Sequence, residues 1–454
     1  MPSLLRYLVV FFLCALPAVG QAAKLKQELK AKETAAKKDP EALFEVGKWA
    51  TEKSLLDDAK RIYQAVVKIK SDHAGANEAL GNQLIEGKWM PAKEAEALRK
   101  KLLVAEFTAK GMVEVAGVWV EKDKVDDAKR GIFHHEKETV TKEELLQFQA
   151  GKVRHPDTGE FIDAKHLEKA TTHYYPISNS RWVDQKEADA FHSDLKRPWI
   201  VRTGKGMILS TLPFAKIEEL QIYLDQGLDT IAPLFAHKQL APAHRPVVVI
   251  AATEAEYREL GTAYGEGTDA AGCFLIGDEA QPIQIPFLGD VRAAICYNEK
   301  SWGIRYIRHA AALSYLHGLS AEAGVDLPPW FVHGVASMTS RFQTDSDAGW
   351  FGKQHVAKGG VRNVKGFFAG FAISGDMEST AIDYNMFQAG LLVSYAAHGG
   401  DAKVTEALQG VTGLLTGAQK GNAEKALTKL QGLLTDAEPK IATHLQNLIA
   451  KAPQ

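Results

Sequence analysis

Cysteine is scarce in these 454 residues, which hold only Cys14, Cys273 and Cys296. None sits in an apparent nucleophile setting, and three cannot build a framework of several bridges. A dominant charge is also missing. The net charge of −2 is spread along the chain, which leaves no basic footprint for nucleic acid. Beyond the N-terminus no run is long and apolar enough to enter a membrane. The sequence has no Gly-x-Ser-x-Gly elbow, and Gly265-Glu266-Gly267 and Gly359-Gly360 lack the strand, helix and lysine of a phosphate loop. Serine, cysteine and nucleotide chemistries are therefore unsupported.

What is present begins with residues 1–22. Arg6 precedes an apolar stretch from Tyr7 to Val19, and the small residues Gly20 and Ala22 follow at cleavage spacing. The apolar run is about 13 residues, against roughly 20 for a membrane-spanning helix, so the expectation is a cleavable signal cut after Ala22, with Ala23 as the alternative. Phe11, Phe12 and Leu13 precede Cys14 where a lipoprotein needs small residues, so Cys14 belongs to the discarded segment. The mature chain is expected in the periplasm or outside the cell, with no transmembrane segment. There Cys273 and Cys296, both in strand-like runs, form a structural disulfide if the fold brings them together, or remain two buried thiols.

The remaining length of about 430 residues exceeds one ordinary hydrophobic core. Residues 23–87 are helical. Val46-Gly47 recurs as Leu80-Gly81 at a spacing of 34, with Ala59 and Tyr63 at packing positions between. This resembles one tetratricopeptide hairpin and the start of another, a structural element rather than a peptide groove.

Over residues 88–197 a smaller pattern recurs: Trp89-Met90, Trp119-Val120, Phe161-Ile162 and Trp182-Val183, each followed six residues on by Ala95, Val125, Leu167 or Ala188. It reads as small modules in which a short strand turns into a helix. Core packing is the expected role of the tryptophans, and an exposed platform for cell-wall glycan is the alternative. His134, His135, His155, His166, His173 and His192 lack metal-ligand spacing and are expected at the surface.

Residues 198–454 read as strands first and helices later, an α+β arrangement, with a glycine-rich loop from Asp345 to Gly375. The stretches Ile307-Arg308-His309-Ala310-Ala311-Ala312-Leu313, Leu327 to Ala336 and Tyr384 to Gly390 resemble the gluzincin-like metallopeptidase domains of exported bacterial proteins. The resemblance implies a thermolysin-like fold. It places the HExxH motif at His309, a third ligand at His333 and a Tyr-led helix at Tyr384. It also implies zinc, but the general-base position holds Ala310, the second ligand position Leu313, and the third ligand is His333 instead of glutamate.

His317, eight residues beyond His309, stands about 12 Å along a helix and cannot share its ion; it is expected at the helix end. His355, Asp376 and Glu378 remain candidate donors for a rebuilt zinc site. The expected role is therefore non-catalytic binding or scaffolding, with no catalytic residue and no cofactor. A cleft bounded by Trp330, His309, His333 and Tyr384 would take a protein or peptide of the cell envelope. The alternatives are a metal-dependent hydrolase with a rebuilt site, and glycan binding through the Trp modules.

Overall fold

The computed structural model describes residues 24–178, 181–264, 272–277, 283–285, 289–299, 302–373 and 377–453. The expected signal segment lies outside them, as does Asp376. The chain divides into two compact bodies, Met1–Val113 and Glu114–Gln454.

In the smaller body, residues 24–36 are helical and are followed by the helices Pro40–Glu52 and Leu56–Ile69. Asp39 caps the first of these, its carboxylate accepting the Glu41 N–H at 3.1 Å, with Pro40 opening the first turn. Gly47 lies so close to Tyr63 that a Cβ there would come within 2.5 Å of the ring, which is why a larger residue is not accommodated. The second helical repeat stops after Ala74–Ala79, fewer than two turns. Gly81 then takes a φ of +74°, and the chain leaves the helix for a strand hairpin, Asn82–Ile85 with Lys88–Pro91.

That hairpin is the first of five, each followed by a helix. The other four pair Val113–Val115 with Val118–Val120, Phe133–His135 with Glu138–Val140, Lys152–Arg154 with Phe161–Asp163, and Tyr175–Pro176 with Trp182–Val183. The sequence pattern finds four of these modules and one strand of each. The module it misses carries Thr139 where the others have an aromatic ring. Val125 and Leu167, expected in the core, are not buried, and Leu167 is 39% exposed. Their places are taken by Ala128 and Ala170, three residues later. In these two modules a three-residue 3₁₀ turn, Lys122–Lys124 or Ala164–His166, precedes the helix and shifts its inward face by its own length. Where the helix starts at once, the residue six beyond is the buried one, as at Ala95, Leu145 and Ala188. No helix among the described residues is long and apolar enough to cross a membrane.

The main sheet of the larger body has strands β1 (Trp199–Arg202), β2 (Met207–Ser210), β3 (Val247–Ala251), β4 (Cys273–Ile276) and β5 (Ala293–Tyr297), in the order β1-β2-β3-β5-β4. β1 with β2 and β5 with β4 are antiparallel, and the two central pairings are parallel. Alternate residues serve two layers. Val201, Ile208, Val248, Ile250, Ala294 and Cys296 face one core with helices α1 (Phe214–Ile231) and α3 (Gly303–Ala323), while Met207, Val247, Val249 and Ile295 face another with Tyr257 of α2 (Glu254–Ala263). The body is thus a mixed α+β fold.

Helices α4 (Pro329–Ser340), α5 (Asp345–Ala357), α6 (Val364–Gly370), α7 (Ser379–His398), α8 (Ala402–Leu415), α9 (Ala423–Asp436) and α10 (Glu438–Ile449) complete it. The expected loop from Asp345 to Gly375 is therefore corrected to two helices. Thr344 caps α5 by accepting the Asp347 N–H, and a Cβ on Gly349 would lie 2.2 Å from the Leu448 carbonyl of α10. Glycine marks a close helix crossing here rather than a turn.

Candidate functional site

Helix α3 presents His309, Ala310 and Leu313 to the interior, with exposures of 1%, 0% and 1%. His309 and Leu313, four residues apart, share one face of the helix. His333 comes from α4, which lies along α7; a Cβ on Gly334 would meet the Ala389 carbonyl at 2.8 Å, so this crossing admits only glycine. The two histidines meet, with His309 Nε2 3.4 Å from His333 Nδ1 and the ring centroids 5.7 Å apart. On its other side His309 Nδ1 is 3.1 Å from Ser340 Oγ. Each ring nitrogen of His309 is thus engaged with a protein group.

Burial lowers the pKa of His309 well below its ordinary value, helped by His333 and the Arg341 guanidinium. Burial and Arg341 bring His333 down to about 4. Both rings are neutral at neutral pH. Arg341, whose Nη1 reaches Ser340 Oγ at 3.5 Å, is held by Asp383 Oδ1 through Nε at 2.9 Å and Nη2 at 2.5 Å. The other Asp383 oxygen faces His355 Nε2 at 3.2 Å. Burial alone would raise the Asp383 carboxyl, but Arg341 and His355 outweigh it and hold it well below the usual carboxylate range.

These groups floor a cavity of about 300 Å³. Its floor is Arg341, Asp383 and His355, its walls are Trp302, Tyr306, Trp350, Phe351 and Tyr384, and Lys358 also lines it. Trp350 is 43% exposed at the mouth. The cleft expected from the sequence is accordingly redrawn. Tyr384 lines this cavity, but Trp330 is only 4% exposed and packs edge-on against Phe331 and Phe368. His309 and His333 communicate with the cavity through Ser340 and Arg341 instead of forming its wall.

The residues where the sequence resemblance implies a metal do not suit zinc. Ala310 and Leu313 have no donor atom, the remaining imidazoles point at each other, and no group of three or more His, Cys, Asp or Glu side chains converges among the described residues. His317 is not at a helix end, because α3 continues to Ala323. His355 lies on α5, buried against Asp383, and Glu378 precedes the first turn of α7.

Cys273 and Cys296 are directly opposite each other on β4 and β5. Both are buried, and Cys273 Sγ donates to the Tyr306 carbonyl at 3.2 Å. Among the module histidines His155 is a correction. It is 1% exposed, bonded to the Tyr174 carbonyl at 2.9 Å, and stacked with Tyr175 and Trp182. Its ring therefore belongs to the core.

Sequence reasoning passed over Arg341, Asp383 and Ser340. Their signal was present: an arginine and an aspartate each embedded in a run otherwise apolar or small, where a charge survives only with a partner. Neither the protein-family models nor the curated proteins contain a match to this chain.

Proposed function

We propose that this chain is an exported, non-catalytic binding protein whose residues 198–454 derive from a gluzincin-like peptidase domain, and that the aromatic cavity beside Tyr384 takes a peptide side chain of a cell-envelope protein. The observation that carries this reading is the state of the histidine pair. Two neutral imidazoles bonded to each other, beside Ala310 and Leu313, offer neither a carboxylate to take a proton from water nor enough lone pairs to hold an ion that would acidify it. The cavity supports a binding role because aromatic walls over a fixed ion pair are the usual makeup of a specific pocket.

The tetratricopeptide-like hairpin and the modules would then serve as scaffold. Among the module aromatics the Trp182 ring is engaged by His155 and His166, which supports packing over a glycan platform. The test is metal analysis of the purified chain prepared without chelator, together with binding to an array of immobilised envelope peptides. The expected result is zinc far below one per chain and peptide binding weakened by Trp350→Ala. Close to one zinc per chain, lost in His309→Ala and accompanied by EDTA-sensitive peptide cleavage, would overturn it.

A further inference from the structure

A second cavity, of about 400 Å³, opens where the module array meets the sheet of the larger body. Lys137, Arg202, Lys205, Lys238 and Arg245 line it, against two carboxylates, Glu138 and Asp229. Behind it, Glu144 is oversubscribed. One carboxylate oxygen accepts from Arg154 at 3.0 Å and Arg245 at 3.2 Å and faces Arg202 at 3.7 Å, while the other is spent on the Thr141 N–H at 2.9 Å. Glu138, 40% exposed, is 2.7 Å from Arg202 and 3.7 Å from Arg154.

Three guanidiniums therefore share two carboxylates, and Arg202 Nη1 is buried without a hydrogen-bond acceptor. Burial first, then Arg245 and Arg154 beside it, lower the pKa of Arg202 against the opposing pull of Glu144 and Glu138. The other cations do not reverse the balance. Lys205 pairs with Asp229 and Lys238 with Glu322, whereas Lys137 has no ion pair among the described residues. His237, which lines the cavity, follows Ala236, the left-handed cap of the 3₁₀ turn Ala232–Phe235, and both have positive φ, 50° for Ala236 and 55° for His237.

We propose that this cavity is an oxyanion site for a small ligand bearing a phosphate or two carboxylates, with Arg202 and Arg245 as its donors and Lys137 at the rim. The volume suits this class, since it is about a dozen times that of a water molecule. Planar guanidiniums match the paired oxygens of both groups. The site is independent of the peptide-binding cavity and of any peptidase ancestry.

The test is calorimetric titration of the mature chain, in a buffer free of oxyanions, with inorganic phosphate and separately with succinate. Saturable binding of either supports the proposal, and the tighter of the two names the source. Arg202→Lys keeps the charge but loses the fork and is expected to weaken binding roughly tenfold or more. Lys137→Glu, on an exposed residue that leaves the fold intact, is expected to weaken it several-fold, while Lys358→Glu at the other cavity leaves it unchanged. The proposal fails if neither anion saturates by about 10 mM. It fails equally if Lys137→Glu binds as the parent does, and this variant decides the matter should Arg202→Lys not fold.

Discussion

Replacing His333 by glutamine probes the histidine pair directly. In the folded chain His333 titrates near 4, against an ordinary 6.5. Below pH 6.5 the unfolded chain therefore binds the proton that the folded chain refuses. The sign follows from proton linkage: this histidine's contribution is fully present above 6.5 and is lost as pH falls from there towards 4. Between pH about 7.5 and about 5 the unscreened loss is about 2 kcal/mol, and solvent screening of the partly exposed ring brings it below that. His309 is lowered in the same direction. Glutamine keeps a hydrogen-bonding group towards His309 but does not titrate. Urea unfolding of parent and His333→Gln at both pH values should show the parent losing more stability on acidification, by up to that amount, at unchanged m-value. His155, His192 and His317 are also depressed but are present in both proteins and cancel. Parallel pH profiles would refute the claim that the fold holds this imidazole neutral.

The helical reading of residues 345–357 is tested by two glycines. Gly349→Ala forces a methyl onto the Leu448 carbonyl and should cost about 1–3 kcal/mol, whereas Gly432→Ala, with open space around it in α9, should stabilise by up to about 1 kcal/mol; melting temperatures that move in the same direction would sink the close crossing. Asp383→Asn removes the carboxylate that holds Arg341 and should cost about 3–5 kcal/mol in chemical denaturation, far more than a surface substitution; a change below about 1 kcal/mol would mean that Arg341 is already compensated by other groups.

Periodicity carried most of the fold. Apolar spacing predicts helices over residues 215–237, 254–264, 329–341, 401–415, 423–434 and 437–450 and a buried strand at Val247–Ala251, and α1, α2, α4, α8, α9, α10 and β3 stand close to these, because each buries a face whose period the sequence displays. The region 345–370 was illegible because glycine has two meanings: Gly349 and Gly352 allow close approach inside a helix, and sequence alone cannot tell this from a turn. The first strand of each module is too short, at two to four residues, to show alternation. The site was legible only where a motif has fixed spacing. His309 and His333 lie 24 residues apart and their rings meet. Arg341 with Asp383, and Glu144 with Arg245, are joined 42 and 101 residues apart by tertiary packing alone.

The histidine pair and the buried arginine support each other electrostatically. Neutral imidazoles can sit beside Arg341 without an opposing charge of their own, because Asp383 already compensates the guanidinium. A divalent ion brought to His309 and His333 would have to break their mutual hydrogen bond and accept repulsion from that guanidinium. Installing a metal site here therefore takes more than a second ligand at 313. The positive charge at 341 must also be removed or screened, so Leu313→His in an Arg341→Met background should bind zinc more tightly than Leu313→His alone.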